Sequence, residues 1–364
     1  MAGFSIGGLI PIISLNLESR GVAPWLIGVN TAMPSLGVLF VAPFLPYLLK
    51  CLGTINALLA GTFIVFCTFI LLPFLPSILI WFVLRFIFGI GLGIIWIISE
   101  AWLNTVAQSH NRGKIMGAYV TILASGFAIG PLVPAFFGYE DIVPFLICSV
   151  VLLFGIAPLI VARSAAPNLT LKNKNPNKLN LLFKTPTIVA AALIAGLLDS
   201  TTFAFLPIWG LHHSMSDTSA ITMLTILITG NVVFQVPIGW LADNFNKRGI
   251  LAICAILSIA APPLILLFIN QPIFQGIVLF VWGGAFWGIY TVGLVLLGEN
   301  FRLQDLTIAN TAFVSLVQIA NLFGPPMAGI SINLNDPDGL LWFFSLTTAI
   351  FFMFVLQRGL IKNV

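Results

Sequence analysis

Arg85, Glu100 and Asp199 are the side chains of this chain most in need of a reason. Each lies inside a long apolar stretch, where an ionised group is costly and reads by default as functional. Arg85 opens "RFIFGIGLGIIW", Glu100 ends "IWIISE" and Asp199 opens "DSTTF". A buried cation can attract an anionic group of a solute or pair with an acid on another helix; Asp199 is one possible partner for Arg85. Arg85 and Glu100 are fifteen residues apart on one predicted helix, about 22 Å by helical rise, so they cannot pair with each other. A carboxylate shielded from water takes up a proton more readily than one in solution, so Asp199 and Glu100 are candidates to load and release a proton. The plainer reading of each is a polar group satisfied by neighbouring hydroxyls or lining a wet cavity. Trp96, Tyr119, Trp287 and Tyr290 are candidates to line a mostly apolar binding cavity. Asn231 and Gln235, four apart on one helix face, join them, with Ser14, Asn16, Asn30, Ser35, Gln318 and Asn321 as further polar candidates.

Other chemistries find little support. No P-loop is present, so direct ATP drive has no sequence basis. With three His in all, no nucleophile–base set stands out. His212 and His213 are adjacent and point to different faces, so joint metal binding is not expected. Cys51, Cys67, Cys148 and Cys254 have no motif spacing and read as small buried apolar residues. No enzymatic activity, metal, cofactor or nucleic-acid partner is expected.

The elements that position these residues follow from composition. The chain is 59% hydrophobic and 7% charged, with mean hydropathy +1.10. A soluble domain carries roughly 25% charged residues. Apolar stretches of about 20 residues recur, as transmembrane helices require; barrel strands would be about half that length and alternate. Twelve spans are predicted, at 2–17, 25–47, 55–74, 77–104, 114–138, 141–162, 186–210, 218–241, 249–269, 273–298, 306–331 and 338–357. The first begins so near Met1 that a shortened first helix is expected. The polar, basic segment 163–185 divides the chain into six-helix halves, 1–162 and 186–364. Alternate loops carry Lys50; Arg112 and Lys114; Arg163, Lys172, Lys174, Lys178 and Lys184; Lys247 and Arg248; Arg302; Arg358 and Lys362. The opposite loops carry Arg20 alone among basic residues, with Glu18, Glu140, Asp141, Asp217, Asp336 and Asp338. Cytoplasmic loops are the basic ones. An all-α, multi-pass protein of the inner cell membrane with both termini and the 163–185 segment in the cytoplasm is therefore expected.

The halves also resemble each other, as parallel repeats do. "LIPIISL" at 9–15 matches "FLPIWGL" at 205–211, "FIFGIGLGIIW" at 86–96 matches "FVWGGAFWGIY" at 280–290, and "YVTILASGFAIGP" at 119–131 matches "FVSLVQIANLFGP" at 313–325. The last two matches share one offset. Small residues four apart, Gly3/Gly7, Gly89/Gly93, Gly126/Gly130 and Gly284/Gly288, allow close helix approach, and Pro131 and Pro325 can bend their helices.

Twelve spans in two halves joined by a basic linker resemble the major facilitator superfamily of secondary transporters. "GWLADNFNKR" at 239–248 is similar to that superfamily's G-x-L-A-D-R-x-G-R-K/R loop signature. Gly239, Leu241, Ala242, Asp243 and Arg248 fit; Asn244 and Asn246 depart from it. The first-half counterpart, "PYLLKCLGT" at 46–54, has Pro46 for Gly and Lys50 for the acid. Arg85 with Gly89 resembles the fourth-helix R-x-x-x-G motif, and Gly117, Gly126, Gly130 and Pro131 resemble the fifth-helix antiporter motif, with Pro134 for its last Gly. The combination "IWIISEAW…NRGKIMGAY" is most similar to the YcaD-like branch. The resemblance implies a monomeric carrier in the bilayer, moving a small solute by alternating access with proton coupling, efflux favoured over uptake. It implies a cytoplasmic gate in which Glu299 meets Lys247 or Arg248, with Arg302 nearby and Asp243 close to the start of the 306–331 span, where a helix N-terminus favours an anion. It also implies that Gly89, Gly93, Gly117, Gly126, Gly130 and Gly324, with Pro131 and Pro325, form packing faces and hinges. A ligand sensor or scaffold of the same fold is the alternative, supported by the altered "PYLLKCLGT".

Overall fold

The computed structural model describes residues 1–106, 112–165, 167, 169, 185–301 and 303–361. Among them every regular element is helical. In chain order these are α1 (Ala2–Ser19), α2 (Pro24–Val41), α3 (Leu45–Phe74), α4 (Ile78–Val106), α5 (Arg112–Ile129), α6 (Leu132–Phe137), α7 (Ile142–Phe154) and α8 (Ile156–Val161). After the 163–185 segment, much of which lies outside the described residues, come α9 (Pro186–His212), α10 (Asp217–Asn244), α11 (Lys247–Leu267), α12 (Pro272–Asn300), α13 (Leu303–Leu334) and α14 (Gly339–Ile361). Proline opens α2, α9 and α12, where its missing N–H costs nothing. Ser216 and Asn246 cap α10 and α11 by accepting the N–H groups of Ser219 and Arg248.

Ten stretches among the described residues are long and apolar enough to cross a membrane. One of them, Pro24–Phe74, has 51 residues. As a single helix it would be about 77 Å long, more than twice the hydrocarbon thickness. It is not one helix: a 3-10 turn at Ala42–Phe44 precedes α3, and Gly53 (φ 75, ψ 172) breaks α3 itself. Gly53 adopts a conformation that L side chains rarely tolerate. The stretch expected as an interhelical loop at 48–54 is thus helical up to the Gly53 break.

Two predicted spans are divided. The 114–138 span becomes α5 and α6, parted at Gly130–Pro131, and the 141–162 span becomes α7 and α8, parted at Gly155. Proline denies a donor to the carbonyl four residues back, and Pro131 and Pro158 sit at these breaks. α13, by contrast, runs through Pro325 and Pro326.

The chain forms two compact units, Met1–Gly21 with Val29–Asn173 and Val22–Gly28 with Lys174–Val364. The same helix crossings are built inside each. In the first unit, a Cβ at Gly3 would overlap the Leu123 carbonyl, and one at Gly130 would overlap that of Phe4. In the second, Gly196 lies in the same way on Val317 and Gly324 on Leu197. Gly3 therefore corresponds to Gly196. The match of 9–15 with 205–211 would set residue 3 against residue 199, so that match is one helical turn out of step. The other two repeat matches keep their register. In the α2/α4 crossing Gly37 lies on Phe86 and Gly89 on Pro34; in the α10/α12 crossing Gly230 lies on Phe280 and Gly283 on Leu227. The close backbone approach in the second unit is thus made by Gly283. Gly284 and Gly288 instead accept the side chains of Phe234 and Ile238. Gly93 receives Val38 and Val41 of α2.

Large apolar side chains such as Phe63, Leu79, Val83, Val236, Leu267 and Met353 are exposed, as helices facing hydrocarbon require. Cys148 and Cys254 are buried, whereas Cys51 is exposed, because it falls in the short helical turn between the 3-10 segment and Gly53.

Candidate functional site

Asp199 stands in the middle of α9, half-buried, beside a group of polar and aromatic side chains from α12 and α13. The Trp287 indole Nε1–H donates to Asp199 Oδ1 at 3.2 Å. The next residue, Ser200, donates from its backbone N–H (3.2 Å) and its hydroxyl (2.8 Å) to Asn321 Oδ1. Asn321 is only 6% exposed. Phe203 meets the Trp287 ring edge-on, with centroids 6.4 Å apart, and the Phe286 ring lies 4.4 Å from it. One carboxylate, one hydroxyl, one amide and a wall of rings therefore converge within the second unit. Such a set can hold a proton or hydrogen-bond a hydroxylated solute while aromatic faces cover its apolar part. Ser200 escaped the sequence reading; the signal was its place one residue after the intramembrane acid.

In the first unit Trp96 and Glu100 meet on α4, the indole N–H donating to Glu100 Oε1 at 2.6 Å. They are one turn apart, so the contact is local to one helix. Tyr119 is half-buried on α5. In the second unit Asn231 and Gln235 are half-buried on α10, and Tyr290 of α12 packs its ring on Phe313 at 5.4 Å.

Arg85 is enclosed, with 1% exposure. Its Nε–H donates to the backbone carbonyl of Asn30 at 3.3 Å. Among the described residues no carboxylate pairs with it. Its Nη1 and both polar atoms of the Asn30 amide are buried without partners among those residues.

At the α10–α11 turn, Lys247 Nζ lies 2.8 Å from Glu299 Oε1 at the end of α12. The acid's partner is thus Lys247. Arg248 instead contributes its backbone N–H to the Asn246 cap, 3.1 Å. Lys247, Arg248 and Glu299, with Leu296, Asn300 and Leu356, line an open cavity of ≈ 710 Å³. Asp243 is exposed in the last turn of α10. Its expected neighbours, the first side chains of α13, and Arg302 lie outside the described residues. Gly239 has open space where a Cβ would be, with one methyl at 4.0 Å. Gly117 belongs to α5, but its surroundings also lie outside the described residues.

At the other end of α9 the two histidines diverge. His212 Nδ1 lies 2.9 Å from Asp336 Oδ1, and His213 Nε2 lies 2.9 Å from Asp338 Oδ1. Trp209 also donates to Asp338, at 3.0 Å. Arg20 packs on the Trp81 ring at 4.7 Å and donates to the Pro76 carbonyl at 2.9 Å. No cluster of three or more metal-binding side chains occurs among the described residues.

Comparison with known proteins agrees with this architecture. The sequence profile of the Major Facilitator Superfamily matches residues 1–227 and 188–360. The chain is 24% identical to the uncharacterized MFS-type transporter YfkF of Bacillus subtilis over 361 residues, covering 96% of this chain and 90% of the relative. It is 23% identical to the uncharacterized MFS-type transporter YcaD of Salmonella paratyphi B over 358 residues, covering 98% and 92%. Among solved structures, a mutant of the nucleoside transporter NupG superposes with TM-score 0.78 at 14% identity, covering 98% of this chain and 96% of that one. A D-xylose–proton symporter superposes with TM-score 0.70 at 17% identity, covering 97% and 94%. These structures share the fold, and the profile spans both repeats. The chain belongs to the Major Facilitator Superfamily, as its loop and helix motifs led us to expect.

Proposed function

We propose that this protein is a secondary transporter that carries a small solute across the inner membrane by alternating access, driven by protons. The observation that carries this reading is the Asp199 group: an intramembrane carboxylate held by Trp287, beside Ser200, Asn321 and two phenylalanine rings. Twelve crossings follow if Pro24–Phe74 counts twice and α5 with α6 supplies one more. They divide into six-helix halves, 1–162 and 186–364, with 163–185 and both termini in the cytoplasm. Asp199 is the leading coupling acid. Glu100, with Trp96 and Tyr119, is the second. Asn231, Gln235, Trp287 and Tyr290 contribute to the solute path.

The Lys247–Glu299 pair serves as the cytoplasmic latch. Its side chains are 17% and 55% exposed, and a partly exposed pair is worth about 0–1 kcal/mol. That weakness suits a contact that must break in every cycle. Asp243, Arg248, Arg302 and Gly239 complete the gating turn. The fifth-helix glycines and Pro131 favour efflux.

Reconstituted vesicles with an imposed pH gradient test the reading. Nucleosides and D-xylose, named by the two structural neighbours, are the first solutes to offer; the hydroxyl-binding groups and rings around Asp199 suit both. Gradient-driven movement that Asp199→Asn abolishes is the expected result. Undiminished coupling in that variant would remove Asp199 from its role. Binding without movement of any solute that is bound would favour a sensor.

A further inference from the structure

The buried cation of the first unit faces a backbone carbonyl, and that carbonyl has a reason to need it. Pro34 lies inside α2. Proline has no N–H, so the carbonyl four residues earlier, that of Asn30, loses its helical donor. An unpaired carbonyl at membrane depth is costly. Arg85 Nε supplies a donor to that same atom. One turn further along α4, Gly89 lies directly on Pro34; any Cβ there would overlap the proline backbone. The glycine brings α4 to the proline of α2, and the arginine fills the bond that this proline removed.

The second unit supplies an internal control. Its α10/α12 crossing has the same glycine geometry, with Gly230 for Gly37 and Gly283 for Gly89. In this register Leu227 stands for Pro34 and Leu279 for Arg85. Both leucines are buried, at 0% and 1% exposure. Where no proline frees a carbonyl, no arginine is present.

We infer that Arg85 is a positioning residue that replaces, by a side-chain bond, the backbone hydrogen bond lost at Pro34, so that the R-x-x-x-G spacing of α4 works as a single clamp on α2. The clamp needs the N–H at the Nε position, not the charge. It stands independently of the transport cycle proposed above.

The test uses the purified full chain in detergent and its thermal midpoint. Gln places an amide nitrogen as many bonds from Cα as Arg places Nε, whereas Met has similar length and no donor. Arg85→Met is expected to lower the midpoint by about 3–8 °C. Arg85→Gln is expected to lose less than about half of that, because one hydrogen bond is kept. In a Pro34→Ala background, the new residue again donates its backbone N–H to the Asn30 carbonyl, and the gap between the Gln and Met variants should shrink by at least about half. Leu9→Ala, a buried change elsewhere in the unit, should keep its full effect in that background. Equal damage from Gln and Met would overturn the clamp, as would an unchanged gap in the Pro34→Ala background or no effect of Met. If Pro34→Ala does not fold, the Gln–Met difference in the native background decides alone.

Discussion

The α2/α4 and α10/α12 crossings are built on one plan and filled differently. In both, a glycine on each helix lets backbone meet backbone: Gly37 on Phe86 and Gly89 on Pro34, then Gly230 on Phe280 and Gly283 on Leu227. Between helices in lipid, close packing replaces the hydrophobic effect as the source of association. The glycines therefore set the crossing, and its polar content can vary. The first crossing carries Pro34, Asn30 and Arg85; the second carries only apolar side chains at the matching places. The polarity of the second unit lies elsewhere, at Asp199, Trp287 and Asn321. By the same register these answer to Ile6, Gly93 and Phe127 in the first unit. Each unit thus has an internal polar group at a place where the other unit is apolar.

The largest effect should come from what the crossings share. Gly89→Val and Gly283→Val would drive a side chain into Pro34 or Leu227, and overpacking of this kind costs about 1–3 kcal/mol or more. Both variants should fail to give a monodisperse species in detergent gel filtration; a well-folded Gly283→Val protein would show that only the first crossing is tight. Next in size is loss of gradient-driven transport in Asp199→Asn, against near-normal function in Ile6→Val, its counterpart in the first unit. Similar losses would mean the polar group is not special. Smaller again is the contrast between Arg85→Met and Leu279→Met. The first leaves a buried carbonyl unpaired, at about 1–3 kcal/mol, while the second is a volume-conserving swap of under about 1.5 kcal/mol. Thermal midpoints measured side by side would read the difference.

The smallest effect concerns the turns that follow these crossings. After α10, Asn246 caps α11 and Lys247 holds Glu299; the first-half turn has Gly53 at positive φ and Lys50. Lys247→Ala should change stability by no more than about 1 kcal/mol, yet shift the population of the closed cytoplasmic gate, as cysteine accessibility at Asn300→Cys would report. Asp243→Asn should disturb gating more than Lys50→Ala. Equal accessibility changes would count against a stronger second-half gate.

Apolar run length, glycine and proline placement and repeat offsets were enough to predict a helical membrane chain with two related halves; the family came from the resemblance of "GWLADNFNKR" and the fourth- and fifth-helix motifs to those of the superfamily. They were enough to single out Arg85, Glu100 and Asp199, because an ionisable residue in an apolar run is visible without coordinates. The partners were not visible. Arg85 meets a carbonyl, which no side-chain pattern reveals, although Pro34 was the available signal. Glu299 meets Lys247 where Lys247 or Arg248 were open possibilities. Gly283, not Gly284, carries the close approach, and the first repeat match slips by one turn. The physical reason is common to all of these. A helix offers about 3.6 residues per turn and no mark of which face will meet a neighbour; apolar sequence satisfies several registers equally. Only the crossing of one helix on another decides which atoms come within bonding distance.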